Sequence, residues 1–440
     1  MILRRSIFTV LIQVLQLVTL VGITILVTRV TGAHGRGIYT LVVSVAGLSA
    51  MVTGLGISWA GIYYIGKREF PLADVVSTLL TVALAAAVLT IGVLAIAYVF
   101  FQPTYFHDMS PTQALIMLAL TALFQLATTA SSIVLGLNRP LQYAGLSAIQ
   151  VVVALVIQVF LAVTGSLTAT SALVALTLGL TISAGLGTVL VGREAPIRLG
   201  FDSRILRSFF NFGIRGYAAN LMMTVSYRLD ALMVNGLSGV VSLGYYSVAT
   251  AMAEGLWYGA NALALVMFPH ISSMDKKEAD RITPVVCRNA VFLTLIGAVV
   301  MFAVSRQLIL AIFGPALIPA LQPLWLLLPG IVTLTVAKII TSYLSGIGKP
   351  IYSTYLAAGS MILTVVMDLA LIPPYGINGA AAASSIVYTL TAVASVWIFK
   401  RESGAGLLET MVVRAEDFVR YRRLVDSTWR RLFASTPARS

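Results

Sequence analysis

Residues 213–261 read GIRGYAANLMMTVSYRLDALMVNG (213–236), LSGVVSLGYYSVA (237–249) and TAMAEGLWYGAN (250–261). Two segments long enough to cross a bilayer meet here at a short turn, and polar residues lie deep inside both. In the first, Asn220, Thr224, Tyr227, Arg228 and Asn235 share one face at helical spacing, with Asp230 just off it. In the second, Thr250, Glu254, Trp257 and Asn261 recur at i, i+4, i+7 and i+11. An ionised side chain at membrane depth costs about 2.5–3.5 kcal/mol on insertion scales, so such residues face a protein interior or a wet cavity. The two stripes therefore read as cavity walls. A second reading stays open, in which Arg228 and Asp230 neutralise each other and only hold helices together.

The surrounding chain fits that frame. It has 440 residues, of which 59% are hydrophobic and 10% charged, with a mean hydropathy of +0.95. This is the composition of an all-α polytopic membrane protein. The single cysteine, Cys287, excludes an intrachain disulfide. Three scattered histidines, His34, His107 and His270, supply no metal site. Gly346-Ile347-Gly348-Lys349-Pro350 lacks the Ser/Thr and the first glycine of a phosphate loop. No catalytic residues and no cofactor are expected, and the chain reads as non-enzymatic. The apolar run from Ser6 to Thr28 is expected to remain as the first span, being too long for a signal peptide.

Twelve spans are predicted: 6–30, 38–63, 75–101, 112–136, 142–164, 168–191, 213–235, 241–268, 286–312, 319–345, 351–372 and 378–399. The connections alternate in charge. Arg4, Arg5, Lys67, Arg68, Arg139, Arg193, Arg198, Arg204, Arg207, Lys276, Lys277, Arg281, Arg288 and Lys349 fall on one side, against Arg36 and Arg306 on the other. The positive-inside rule puts both termini in the cytoplasm. The net charge of +13 is thus a topology signal, and nucleic-acid binding is not expected. Arg29, at the end of the first span, is expected to snorkel to the interface.

The chain also repeats. Thr31-Gly32, Gly37 and Tyr39 match Ser238-Gly239, Gly244 and Tyr246 at an offset of 207 residues. Gly136-Leu137-Asn138-Arg139-Pro140 matches Gly346-Ile347-Gly348-Lys349-Pro350 at an offset of 210. The predicted organisation is a six-helix lobe over 1–191, a basic linker over 192–212, a second six-helix lobe over 213–399 and a basic amphipathic tail over 400–440. An even number of spans per lobe implies a pseudo-two-fold axis along the membrane normal, with a substrate cavity between the lobes. Gln13 and Gln16 share a face of the first span with Thr9, Thr24 and Thr28, and Gln125 shares one of the fourth with Thr121, Thr128 and Ser132. Ser147, Gln150 and Gln158 line up in the fifth. Such stripes are either interhelical glue, worth about 0.6 kcal/mol per bond, or the wall of a hydrated, sugar-friendly lumen. Lys338 and Asp368 are further buried charges that could pair. From Leu407 onward apolar and Arg residues alternate at helical spacing, as in a surface helix on an anionic leaflet.

Several short stretches resemble the polysaccharide-biosynthesis transporters, the O-antigen and exopolysaccharide flippases of the multidrug/oligosaccharidyl-lipid/polysaccharide (MOP) superfamily. They are Thr31-Gly32…Gly37-Ile38-Tyr39, Arg228-Leu229-Asp230 running into Gly244-Tyr245-Tyr246-Ser247, Phe313-Gly314-Pro315, and Tyr375-Gly376-Ile377-Asn378-Gly379-Ala380-Ala381. The resemblance extends over all twelve spans. It implies alternating access of a central cavity and translocation of polyprenyl-diphosphate-linked oligosaccharides from the inner to the outer leaflet. Arg215, Arg228 and Lys338 would hold the diphosphate or acidic sugars, and Asn220, Thr224, Tyr227, Trp257, Asn261, Gln13, Gln16 and Gln125 would line the cavity. Asp230, Glu254 and Asp368 are the ion-coupling candidates. Lipid II flippases of the superfamily carry fourteen spans, two more than here. The implied location is the inner membrane. The implied partners are membrane lipids and a polysaccharide polymerase or glycosyltransferases, with a monomer expected. The alternative is an ion-coupled multidrug antiporter of the same superfamily, whose cavity would be acidic rather than basic.

The topology is directly testable. Reporter tags beside Asp108 and Tyr375 are expected to read outside, and tags beside Lys276 and at the C-terminus inside. One tag of the four on the opposite face breaks the twelve-span scheme.

Overall fold

The computed structural model describes residues 2–412, 414 and 417. The helices are α1 (Ile2–Thr53), α2 (Ile57–Lys67), α3 (Leu72–Phe101), α4 (Pro111–Gly136), α5 (Pro140–Val163), α6 (Ala169–Gly192) and α7 (Ser203–Ser238). They continue as α8 (Val240–Ser272), α9 (Lys276–Leu308), α10 (Leu321–Gly346), α11 (Ile351–Ser403) and the short α12 (Leu407–Met411). At 1.5 Å per residue α1 and α11 would each be roughly 80 Å long, far beyond a hydrocarbon core of about 30 Å. Each is in fact two helices meeting at one glycine: Gly32 (φ 67°, ψ −169°) in α1 and Gly376 (φ 57°, ψ −136°) in α11. Only glycine adopts that backbone without strain. Gly239 (φ 83°) separates α7 from α8 in the same way. With both bends counted, the long helices give the twelve predicted spans.

One predicted span is interrupted. The sequence pattern runs unbroken over 38–63, yet α1 stops at Thr53 and α2 restarts at Ile57. Leu55 (φ 44°) and Gly56 (φ 73°) are left-handed, and Gly56 lies against the Gly213 carbonyl and the Tyr217 side chain. A β-carbon there would fall 2.5 Å from Tyr217 Cβ. The Gly54-Leu55-Gly56 spacing was the available signal, but apolarity alone hides a break of this kind. Non-helical backbone at membrane depth is tolerated where it is packed in protein or borders a wet cavity.

The chain folds as two compact units. The first comprises Met1–Ala251, Ser305–Leu324 and Ser360–Ser384; the second comprises Met252–Val304, Trp325–Gly359 and Ser385–Ser440. In the first, Ile57, Val75, Leu79, Ile133, Leu146, Ile205 and Phe209 form a core that draws α2, α3, α4, α5 and α7 together. Arg29, exposed at the end of the first span, donates to the carbonyls of Ala311 (3.1 Å) and Ile312 (3.4 Å), in the π-helical turn that follows α9. The linker is tied down by Thr81, which donates to the Gly200 carbonyl and accepts from its N–H, both at 3.0 Å. Asp202 caps α7 at the Arg204 N–H (2.8 Å), and the adjacent Arg204 side chain holds its carboxyl below the usual range. In the second unit, Cys287, Val336, Ile340, Tyr343 and Phe399 form a core across α9, α10 and α11.

The repeat is visible as repeated geometry. Asn138 (φ 61°) and Gly348 (φ 79°) occupy the same left-handed position after α4 and after α10. Arg139 then pairs with Glu194 (2.6 Å) in the first unit and Lys349 with Glu402 (2.7 Å) in the second. The bond to Glu402 raises the pKa of Lys349. The repeated glycines meet one another. A β-carbon on Gly37 would lie 1.9 Å from the Val240 carbonyl oxygen, and one on Gly244 would lie 1.9 Å from that of Ala33. Gly244→Ala is therefore expected to force α1 and α8 apart and to lower the melting temperature in detergent sharply, or abolish expression. Gly145→Ala, where a β-carbon meets nothing within 4 Å, is expected to leave stability unchanged or raise it by up to about 1 kcal/mol.

Candidate functional site

The close approach of α1 to the start of α8 turns Arg36 inward. The sequence places this arginine among the few charges of the sparsely charged side, yet it is only 8% exposed. Its Nε donates to Ser247 Oγ (3.1 Å), and that hydroxyl donates in turn to the Gly244 carbonyl (2.9 Å). The guanidinium lies 5.7 Å from the centre of the Tyr39 ring. Arg36, Tyr39, Ser44, Thr224 and Arg228 border one cavity of about 310 Å³ in the first unit. Two guanidinia thus face one space, within electrostatic range of each other, and among the described residues no carboxylate lines it. Both carry N–H forks matched to phosphate or carboxylate oxygens.

A second cavity, of about 190 Å³, shares Gly47 and Met51 with the first. Its polar wall includes Gln125, Tyr217 and Asn220 beside the α1–α2 break. Asn220 and Thr224, one helical turn apart on α7, thus point into neighbouring spaces. Tyr227 is partly buried, and Gln13 (exposed) and Gln16 (partly buried) border neither cavity. The side chain of Arg215 lies outside the described residues.

Deeper in the same unit lies a pair of buried carboxyl groups. Asp230 is 3% exposed; Tyr246 Oη donates to it at 2.5 Å, Ser384 Oγ at 3.2 Å and the Ala231 N–H at 2.8 Å. Asp368 is fully buried, neither of its oxygens has a hydrogen-bond partner, and it lies within electrostatic range of Asp230. Ser226, on the same helix as Asp230, bonds Ser360 (3.3 Å) and Thr364 (3.0 Å) on the same helix as Asp368. In the second unit, Lys338 Nζ sits 4.2 Å from the centre of the buried Trp257 ring, with Glu254 and Asn261 partly buried on the same helix as Trp257.

Two residues of these arrangements were not among the site residues expected from sequence. Tyr246 was singled out as a repeat position, and its hydroxyl serves Asp230. Arg36 had a usable signal: the repeat offset aligns it with Leu243, so the first copy carries a cation that the second lacks.

A chain of long apolar helices, with two arginines bordering one cavity and a buried carboxyl pair, defines a polytopic membrane protein. The model of the family described as "Polysaccharide biosynthesis protein" matches residues 26–322, and the chain belongs to that family. Its fold is that of the MOP superfamily. The inward closed lipid II flippase MurJ superposes with a TM-score of 0.74 at 15% identity, over 91% of this chain and 90% of that one. An inward-facing multidrug resistance MATE family transporter superposes with a TM-score of 0.69 at 14% identity, over 88% and 95%. An uncharacterized membrane protein of Methanocaldococcus jannaschii is 25% identical over 209 residues, 46% of this chain. The match spans 41% of that relative, less than half its length.

Asp368 is buried with neither oxygen hydrogen-bonded, an arrangement that costs stability. Asp368→Asn is expected to melt at or above the wild-type temperature in detergent. Tyr246→Phe, which strips a donor from Asp230, is expected to cost about 1.5–3 kcal/mol. A large loss in Asp368→Asn would instead make Asp368 a structural residue.

Proposed function

We propose that this protein is a flippase that carries polyprenyl-diphosphate-linked oligosaccharides across the inner membrane by alternating access, for assembly of a surface polysaccharide. The observation that carries the reading is the convergence of Arg36 and Arg228 on one cavity of the first unit, with no acidic residue among its described lining. Such a wall favours an anion. A cationic drug, the substrate class of the antiporter alternative, would meet like charge there. A lipid-linked sugar crosses unaided very slowly, because its head group must shed water in hydrocarbon. Guanidinium groups replace the counterions of the diphosphate, and Gln125, Tyr217 and Asn220 replace water around the sugar. Asp230 and Asp368 are the coupling site in this reading. A buried carboxylate without a donor takes a proton or a small cation readily, and a bound charge there would change the balance of the helices that carry Arg228 and Ser384. Glu254, beside Lys338 and Trp257 in the second unit, is a separate coupling candidate.

Arg228→Ala and Arg36→Ala are each expected to cut surface-glycan export roughly ten- to a hundredfold while the protein still inserts. Lysine at either position is expected to rescue only in part, because it cannot bind two oxygens in a fork. If Arg228 is instead a structural partner of Asp230 or Glu254, Arg228→Ala destabilises the protein and an added Asp230→Asn or Glu254→Gln restores it. Export, expression and melting temperature, measured together, separate the two. Normal export by stable Arg36→Ala and Arg228→Ala proteins removes the basis of the assignment.

A further inference from the structure

A third cavity of about 400 Å³ lies within the first unit, between the start of α2 and α4, α5 and α6. It shares Ser58, Trp59, Phe124 and Thr128 with the Gln125–Asn220 cavity, which in turn shares Gly47 and Met51 with the cavity of the two arginines. The three therefore lie in series. Their chemistry changes along the series, from two guanidinia at one end to a wall in which no described residue is charged at the other.

The uncharged end is built in a particular way. Most Ser and Thr hydroxyls in these helices return their proton to a carbonyl one turn back, as Thr121 (2.8 Å), Thr129 (2.9 Å) and Thr188 (2.8 Å) do. The side chains of Ser58, Thr128, Ser131 and Gln150 line this cavity and make no hydrogen bond among the described residues. Trp59, 58% exposed, borders the same space. The break at 54–56 puts Ser58 and Trp59 at the first turn of α2. Gly179 lets α6 press against the Gln150 carbonyl, where a β-carbon would come within 2.2 Å. These hydroxyls and the amide can both donate and accept, and an indole lines the same cavity. That set suits a polyhydroxylated ring with one apolar face. No cation stands ready for a carboxylate, whose desolvation would go uncompensated.

We propose that the Trp59 cavity is a subsite for uncharged sugar residues, the sugar end of a binding track whose anion end is the Arg36–Arg228 cavity. The track as a whole rests on the flippase reading, but the subsite can be tested without it. Full-length protein in phospholipid nanodiscs is titrated with butyl N-acetylglucosaminide, butyl glucuronide and farnesyl diphosphate, with binding followed by saturation-transfer NMR. The wild type is expected to bind the neutral glycoside saturably and at least tenfold more tightly than the glucuronide. Trp59→Ala and Gln150→Leu are each expected to weaken glycoside binding roughly three- to tenfold and to leave farnesyl diphosphate binding unchanged. The proposal is overturned if the wild type binds no glycoside or binds the glucuronide equally well. It is overturned also if both variants bind the glycoside as the wild type does. The flippase reading stands or falls separately: it fails if farnesyl diphosphate binding is insensitive to Arg36→Ala and Arg228→Ala.

Discussion

Two glycines set the geometry on which the rest of the first unit depends. Gly37 receives the Val240 carbonyl and Gly244 receives the Ala33 carbonyl, each at a distance that forbids any side chain. Between lipid-exposed helices there is no hydrophobic drive to associate, so backbone proximity and the dispersion contacts it permits must hold them. Because the contact is reciprocal, it fixes the register of α1 against α8 as well as their separation. Arg36 and Tyr246 lie next to it in sequence, and both are committed by it: Arg36 to Ser247 and the cavity, Tyr246 to Asp230. Consecutive residues of α8, Tyr246 and Ser247, thus hold a carboxylate and a guanidinium. The Arg36–Arg228 cavity and the carboxyl pair share one structural support.

Polar atoms within the spans fall into three states that differ in energy. Hydroxyls bonded to the preceding helical turn are satisfied locally and cost little. Side chains bonded across helices, such as Ser183 to the Leu146 carbonyl (2.8 Å) and Gln158 to that of Ala172 (3.0 Å), hold the bundle together. The third state is an unsatisfied group, either facing a cavity, as Gln150 does, or fully buried, as Asp368 is. This third state leaves bonding capacity for something that is not protein, as do the further N–H groups of Arg36, of which only Nε is bonded to Ser247.

Charge is handled differently near the connections. Arg139–Glu194 and Lys349–Glu402 pin equivalent turns, and Arg288 holds the tail residue Asp417 through two bonds of 2.5 and 2.8 Å. Lys276 and Tyr343 both bond Asp280. The tail is thus anchored on the second unit at Asp417. The amphipathic pattern expected beyond it lies outside the described residues.

Membrane class, span positions and the repeat are legible in the sequence because they rest on properties that add along the chain. Twenty apolar residues must cross, and every backbone polar group must be bonded within the segment. The helix boundaries at Gly32, Gly239 and Gly376 were readable for a related reason, since a left-handed backbone calls for glycine. The stripe of Asn220, Thr224 and Arg228 was readable too, because helical period places those residues on one face. The partners were not readable. Arg36 looked like a loop charge until Gly37 met Val240, and the donors that serve Asp230, Tyr246 and Ser384, come from other helices. Whether a polar side chain is satisfied depends on atoms contributed by other helices, 16 positions away for Tyr246 and 154 for Ser384 in the case of Asp230. Local sequence carries no record of those distances, so the folded chain alone decided which polar residues hold helices together and which remain free to bind.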